Sequence, residues 1–158
     1  MPSILTLKDK TTLRKYIQKI RSENKKIVFT NGCFDIIHPG HIALLKKAKS
    51  YGDILIVAVN SDRSIRNIKG NRRPILNEKA RIKIISAIRY VDCAVIFEEP
   101  TPYKLIKSIR PDILVKGSDW KENNIVGCQF VKKVIRVKLI KGYSTSSIIK
   151  NILEKYGC

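Results

Sequence analysis

Two histidines three residues apart give the sequence its clearest chemical signal. His38 and His41 flank Pro39 and Gly40 in a His-Pro-Gly-His segment. Proline favours the first position of a helix, and residues three apart share one side of a helical turn. Because a helix N-terminus offers free N–H groups and a positive dipole end, the segment predicts contact with phosphate. By spacing alone, exposed loop histidines and metal ligands are the alternatives.

Gly40 fits the phosphate hypothesis, because a residue without a side chain lets a ligand approach the backbone closely. Asp35 and Asp119 are expected at strand ends, where a carboxylate can bind sugar hydroxyls or Mg²⁺, or cap the local backbone. Trp120 can stack on a base or a sugar, and packing in the core is the alternative. The basic stretch around Lys69 predicts either a loop that closes over phosphates or a solvated surface.

Strand-like and helix-like segments alternate along the chain, which is typical of an α/β domain with a parallel sheet. We predict one domain over 1–158, with 1–24 packed on it as an N-terminal helical segment. The fold is predicted to be a single Rossmann-like doubly wound sheet of five parallel strands with helices on both faces. The predicted strands are 26–30, 54–59, 91–97, 112–115 and 134–139.

The polar clusters of the sequence follow the ends of these strands. Ligands of doubly wound sheets bind beyond the carboxyl ends of the strands, so the clusters are predicted to meet at one rim. The polar and basic stretch 60–76 is predicted to be an exposed loop. Asn77 and Ser144 are predicted to cap the helices that follow them.

Composition limits the possible partners and compartments. The net charge is +19, from 32 Lys and Arg against 13 Asp and Glu, and the lysines are spread along the whole chain. We therefore expect no specific nucleic-acid partner. No apolar run approaches the roughly 20 residues that a membrane span needs, so we expect no membrane association and a cytoplasmic protein. Four cysteines without a Cys-x-x-Cys pair predict reduced thiols.

Segment 30–41 resembles the signature of the cytidylyltransferase-like nucleotidyltransferases, which carry a His-x-Gly-His motif. The closer resemblance is to the bacterial D-glycero-β-D-manno-heptose 1-phosphate adenylyltransferases, the second half of the bifunctional heptose kinase/adenylyltransferases. The supporting segments are 57–62, 69–75, 115–120, 125–127 and 142–149. The resemblance covers nearly the whole chain, from about 25 to 152.

The resemblance implies a role for each matching residue. The catalytic residues would be His38, His41 and Lys116. The nucleotide and its phosphates would contact Thr30, Asn31, Gly32, Phe34, Gly40, Arg73, Ser144, Thr145 and Ser147. The sugar phosphate would contact Asp35, Asn60, Asp62, Lys69, Arg72, Asp119 and Trp120. Mg²⁺ is the implied cofactor, carried mainly by the nucleotide phosphates, and the metal-holding residues stay unknown.

The implied reaction is transfer of AMP from ATP to D-glycero-β-D-manno-heptose 1-phosphate, which gives ADP-heptose and pyrophosphate. No serine or cysteine nucleophile with a base beside it is evident, and a phosphate monoester is already ionised near neutral pH, so direct in-line attack is expected. A separate heptose kinase would supply the sugar phosphate, and a homodimer stays open. The alternatives are a glycerol-3-phosphate cytidylyltransferase and, more distantly, a basic nucleic-acid-binding module.

Overall fold

The computed structural model describes residues 5–7, 10–118 and 125–157. The strands are β1 (Leu5–Leu7), β2 (Ile27–Gly32), β3 (Ile54–Asn60), β4 (Cys93–Phe97), β5 (Ile113–Gly117) and β6 (Lys133–Val137). The helices are α1 (Lys10–Ser22), α2 (Pro39–Lys49), α3 (Asp62–Lys69), α4 (Glu78–Ser86), α5 (Tyr103–Ile109) and α6 (Thr145–Tyr156), with a short 3-10 helix at Cys128–Phe130. None of the helices in these ranges is long and apolar enough to cross a bilayer.

The strands form one parallel sheet in the order β1-β4-β3-β2-β5-β6. After β2, the chain adds β3 and β4 on one side of that strand. It then crosses over and adds β5 and β6 on the other side. The order therefore reverses between β2 and β5, and such a switch point leaves a crevice beyond the carboxyl ends of the two strands. The predicted Rossmann-like α/β fold is confirmed.

The sheet has one strand more than the five predicted. All five predicted strands are present, and β1 adds a sixth, pairing Leu5 with Cys93 and Leu7 with Val95. The N-terminal segment, expected to be helical only, thus also covers the edge of β4. A strand of three residues is too short to show an alternating pattern, so only its pairing with β4 reveals it.

The core consists of two layers, one on each face of the sheet. On one face, Ile27 and Phe29 of β2 pack with α1 and α5. On the other face, Val28 packs with Leu45 of α2 and Ile85 of α4. Successive residues of a strand point to opposite faces, and both faces here are covered by helices. This double burial explains the continuous apolar runs of the central strands.

The stretch 60–76, predicted to be a loop, contains helix α3. The Ser61 side chain accepts a hydrogen bond from the Ser64 N–H at 3.1 Å and caps the helix, and Ile65 is fully buried beneath it. The stretch is polar and basic overall, so its composition indicates a loop, although the helix is amphipathic and Ile65 lies on its buried face. The correction matters for function, because α3 brings the end of a basic helix to the rim of the sheet.

We expect Ser61→Ala to lower the free energy of unfolding by about 1 kcal/mol, because the substitution leaves an N–H group of α3 without its cap. Urea unfolding followed by circular dichroism measures the change. Ser22→Ala is the matched control, since its exposed hydroxyl only donates to the Lys19 carbonyl at the end of α1. Equal stability losses in the two variants would contradict the capping role of Ser61.

Candidate active site

A cleft of about 490 Å³ lies at the carboxyl ends of the strands, over the switch point between β2 and β5. Its walls come from the end of β2, the first turn of α2, the end of β5 and the start of α6. The predicted convergence of these segments at one rim is therefore observed. A second cavity, of about 420 Å³, is lined by residues such as Arg21 and Lys132 near the amino end of β5. Ligands of this fold bind at the carboxyl ends, so the first cavity is the candidate site.

The two histidines stand side by side in this cleft. His38 is the N-cap of α2 in an extended conformation, and the His41 N–H donates to the His38 carbonyl at 2.9 Å. Their rings stack with centroids 3.7 Å apart. The Phe34 and His41 rings meet edge to face, with centroids 5.3 Å apart. A Cβ atom on Gly40 would lie 3.0 Å from the His38 ring, so only glycine leaves that ring in place.

Both imidazoles have an unused polar atom. Nδ1 of His38 and Nδ1 of His41 are buried and find no hydrogen-bond partner among the described residues. Helices α3, α4 and α6 are capped by Ser61, Asn77 and Ser144 side chains, whereas the described residues provide no side-chain cap for α2. The start of α2 therefore keeps N–H groups for a ligand, and anions bind such helix ends.

The electrostatic surroundings keep the two histidines uncharged. Burial, followed by repulsion from the charged form of His38 and from Lys69, lowers the pKa of His41 to about 4. Burial also lowers the pKa of His38. Both rings are therefore neutral at pH 7 in the free protein. A bound anion would favour the protonated rings and raise these pKa values.

Lys116 supplies the buried positive charge of the cleft. It lies near the end of β5, and its ammonium group donates a hydrogen bond to Oδ1 of Asn31 near the end of β2. This bond joins the two strands at the switch point. The neighbouring Thr30 hydroxyl is fully buried and finds no partner among the described residues. Two β2 residues predicted to contact the nucleotide, Thr30 and Asn31, thus line the cleft together with Lys116.

The predicted hydroxyl cluster starts helix α6. The Ser144 hydroxyl accepts from the Ser147 N–H at 3.0 Å, and the Ser147 hydroxyl accepts from the Ser144 N–H at 3.1 Å, a capping box. The Thr145 hydroxyl donates to the Asp35 carbonyl at 2.6 Å. These three hydroxyls hold the start of the helix, and Ser144 and Thr145 also line the cleft, whereas Ser147 is absent from its described lining. The exposed Ser146, which was not among the predicted site residues, lines the cleft as well.

The predicted sugar-phosphate residues do not all reach the cleft. Asn60 and Lys69 line it, but Asp35, Asp62 and Arg72 are absent from its described lining, as is the predicted phosphate ligand Arg73. Asp62 instead pairs with Arg81 at 2.8 Å. Asp119 and Trp120 lie outside the described residues.

Asp35 is buried, with its carboxylate turned toward the segment that follows α3. It pairs with Nε of Arg73 at 2.9 Å and accepts the N–H groups of Ile75 and Leu76 at 2.8 and 2.9 Å. Burial raises the pKa of Asp35, but the hydrogen bonds from Leu76, Ile75 and Arg73 outweigh that effect and hold the pKa below its ordinary value. Asp35 is therefore ionised at neutral pH with its oxygens already occupied.

An apolar wall that the sequence analysis missed lines one part of the cleft. It is formed by large hydrophobic side chains that are 40 to 50% exposed: Ile68, Leu139, Ile140 and Tyr143. Three of them belong to the connection between β6 and α6. Leu139 falls within the last predicted strand, but β6 ends at Val137, and Leu139, Ile140 and Tyr143 after it line the cleft. Exposed apolar side chains within a cleft favour a ligand with an apolar part.

The described lining combines Lys69, Lys116, two histidines and two helix N-termini, and it includes no carboxylate. Such a cleft attracts a ligand with several negative charges. Within the described ranges, no group of three or more His, Cys, Asp and Glu residues could hold a metal ion. The arrangement can therefore bind a polyphosphate and stabilise charge that develops on its phosphorus centres.

Comparisons with known proteins agree with this chemistry. The family model described as "Cytidylyltransferase-like" matches residues 29–151. The chain is 49% identical over 140 residues to the "Bifunctional protein HldE" of Helicobacter pylori strain Shi470, and 48% identical over 141 residues to that of Wolinella succinogenes. Each match covers 89% of this chain and 30% of the relative, so the chain spans under a third of the length of these curated relatives.

A solved structure extends the likeness to the fold. The "lipopolysaccharide core biosynthesis protein" of Thermoplasma volcanium GSS1 is similar with a TM-score of 0.60 and 34% identity. That similarity covers 76% of this chain and 99% of the other chain. The family model covers most of the sheet and all of the described cleft elements from β2 to α6. The chain therefore belongs to the cytidylyltransferase-like family of nucleotidyltransferases.

Proposed function

We propose that this protein transfers AMP from ATP to D-glycero-β-D-manno-heptose 1-phosphate and releases pyrophosphate. The observation that carries the proposal is a cleft without described carboxylates, in which His38, His41 and Lys116 meet the N-termini of α2 and α6. The choice of sugar is supported by the resemblance of segments 69–75 and 115–120 and by the likeness to a lipopolysaccharide core biosynthesis protein.

The proposed reaction is a direct displacement. An oxygen of the sugar phosphate attacks the α-phosphorus of ATP, the new P–O bond forms, and the bond to the departing pyrophosphate breaks. The two imidazoles and the Lys116 ammonium would stabilise the negative charge of the transition state. The N–H groups at the start of α6 would hold the departing phosphates, and the apolar wall would contact the adenine ring.

Nucleotidyltransferases of this kind generally take a divalent metal ion with the nucleotide. We infer that Mg²⁺ enters here as part of the substrate, bound to the phosphate oxygens of ATP. The carboxylates of Asp35 and Asp62 are already paired with Arg73 and Arg81. Since these pairs occupy them, they do not offer a metal site of their own, which supports the inference. The ion would neutralise phosphate charge and orient the triphosphate.

A sugar kinase would supply the sugar phosphate. The curated relatives are named bifunctional, and the matched part is 30% of each, so we propose that their additional activity lies outside the part that resembles this chain. We also propose that the protein works in the cytoplasm. The cysteines of the described chain, Cys33, Cys93 and Cys128, are all unpaired, which suits a reducing compartment.

We expect the purified protein with Mg²⁺ to release pyrophosphate from ATP when heptose 1-phosphate is present, and not when either substrate is omitted. A coupled pyrophosphate assay over ATP and CTP, each with heptose 1-phosphate or glycerol 3-phosphate, measures the preference. Equal or faster turnover of CTP with glycerol 3-phosphate would replace the proposed reaction with that of a glycerol-3-phosphate cytidylyltransferase.

We expect His41→Ala to lower kcat by about 100-fold or more, because a donor aimed at developing charge acts mainly in the transition state. The affinity for ATP, measured by isothermal titration, should change far less. His41→Gln is the matched variant, since its amide keeps a hydrogen-bond donor and should recover part of the rate. If ATP affinity fell in proportion to kcat, His41 would be a ground-state ligand.

We expect ATP binding at pH 6 to take up about one proton more in the wild type than in His41→Ala, because the triphosphate raises the lowered pKa of His41. The difference in proton uptake should disappear toward pH 8, because the pH is then above even the raised pKa of His41. Titrations in two buffers with different ionisation enthalpies measure it. Identical proton uptake in the two proteins at pH 6 would mean that His41 stays neutral in the complex.

A further inference from the structure

A single buried residue joins three segments that surround the cleft. The Asp35 carboxylate accepts the N–H groups of Ile75 and Leu76 and pairs with Nε of Arg73. The Asp35 backbone carbonyl accepts the hydroxyl of Thr145 at the start of α6. Asp35 thus links the loop between β2 and α2, the segment between α3 and α4, and the last helix.

A buried guanidinium holds the same segments from the other side. Arg81 of α4 is fully buried, and its Nε donates to the Leu76 carbonyl at 2.9 Å. Its Nη1 donates to the Cys33 carbonyl at 2.7 Å, and its Nη2 pairs with Asp62 at 2.8 Å. Asp35 therefore binds the N–H of Leu76 while Arg81 binds the carbonyl of the same residue. We call these two side chains the Asp35–Arg81 clamp.

The loop held by the clamp has an unfavourable backbone conformation. Phe34 has φ of 48° and Ile36 has φ of 57°, both in the left-handed region that side-chain-bearing residues seldom adopt. Such conformations persist only where surrounding contacts hold them. His38 lies two residues after Ile36, at the N-cap position of α2, so its placement depends on how this loop is held.

We propose that Asp35 and Arg81 are positioning residues, which fix the loop after β2 and the segment after α3 so that His38 and Lys69 face the bound phosphates. Neither side chain is among the described residues that line the cleft. The kinetic consequence rests on the proposed function, whereas the structural consequence does not. Asp35 and Asp62 were predicted from the sequence to contact the sugar phosphate, and this proposal replaces that contact with a structural role.

A substrate ligand and a positioning residue differ in which kinetic property their substitution changes. A ligand that is lost weakens binding of the substrate, whereas a mispositioned group slows the chemical step and leaves binding largely intact. Asn at position 35 retains the shape of the side chain but removes its charge and replaces one acceptor oxygen with a donor. It therefore cannot accept all the hydrogen bonds from Arg73, Ile75 and Leu76.

The test compares Asp35→Asn with Asp112→Asn in the full chain. Asp112 is the matched control, because its carboxylate also accepts a backbone N–H, from Ile27 at 2.9 Å, and pairs with Lys132 at 2.8 Å. It lies at the amino end of β5, away from the cleft. Hydrogen exchange of the Ile75 and Leu76 amides reports the clamp, and steady-state kinetics with ATP and sugar phosphate report catalysis.

In Asp35→Asn, we expect the two amides to exchange at least about 10-fold faster than in the wild type, because their acceptor is impaired. We expect kcat to fall about 10- to 100-fold while both KM values change less than about threefold. Asp112→Asn should keep the wild-type exchange of these amides and the wild-type kcat. Arg81→Lys, which keeps the charge but loses the planar fork, should reproduce the fall in kcat.

The double variant gives a further check. Because both side chains hold Leu76, the loss of kcat in Asp35→Asn/Arg81→Lys should be smaller than the product of the single losses. Unchanged amide exchange in Asp35→Asn would overturn the clamp, and so would a fall in substrate affinity that matches the fall in kcat. If the wild type released no pyrophosphate with any nucleotide and sugar phosphate, the proposed function would fail, and the exchange data would still decide whether the clamp exists.

Discussion

The buried charge of Arg81 constrains the region around the cleft more than any other described interaction. Its guanidinium is fully enclosed by protein, where an unpaired charge would be strongly destabilising. Three acceptors offset that cost, and they come from the loop after β2, the segment before α4 and the first residue of α3. These three segments beside the cleft are thus held together, because the buried cation requires an acceptor from each of them.

The charge distribution within the cleft suits a polyphosphate ligand. The whole chain carries +19, and the described cleft lining has cations but no carboxylates. Two acidic residues beside lining segments, Asp35 and Asp62, are paired with arginines outside that lining. Burial lowers the pKa of both histidines, and neighbouring positive charge adds to the effect at His41, so both are neutral and can gain protons when an anion binds. The cleft therefore attracts a negatively charged ligand, and its described lining has no carboxylate that would repel one.

The helices at the rim differ in how their first N–H groups are satisfied. In α3, α4 and α6, the side chain of Ser61, Asn77 or Ser144 accepts one N–H of the first turn. Helix α2 follows His38, whose side chain provides no cap, and its first turn lines the cleft. A helix start without an internal partner is the usual position for a phosphate. The start of α2 lies within residues 29–151, which match the model of a nucleotidyltransferase family.

The sequence by itself determined the features that depend on neighbouring residues: the five apolar strands, the caps at Asn77 and Ser144, and the histidine pair at the start of α2. Periodicity, capping and short motifs act over a few residues, so they can be read from one chain. The tertiary structure decided which distant groups meet. Arg73 lies 38 residues from Asp35, and Arg81 lies 19 from Asp62, yet each pair is in contact, so residues predicted to bind substrate also make structural contacts. The strand β1 and the apolar wall likewise arise from long-range packing, which no local pattern encodes. Helix α3 differs from them, because it has a local cap at Ser61 and an amphipathic pattern within a polar stretch.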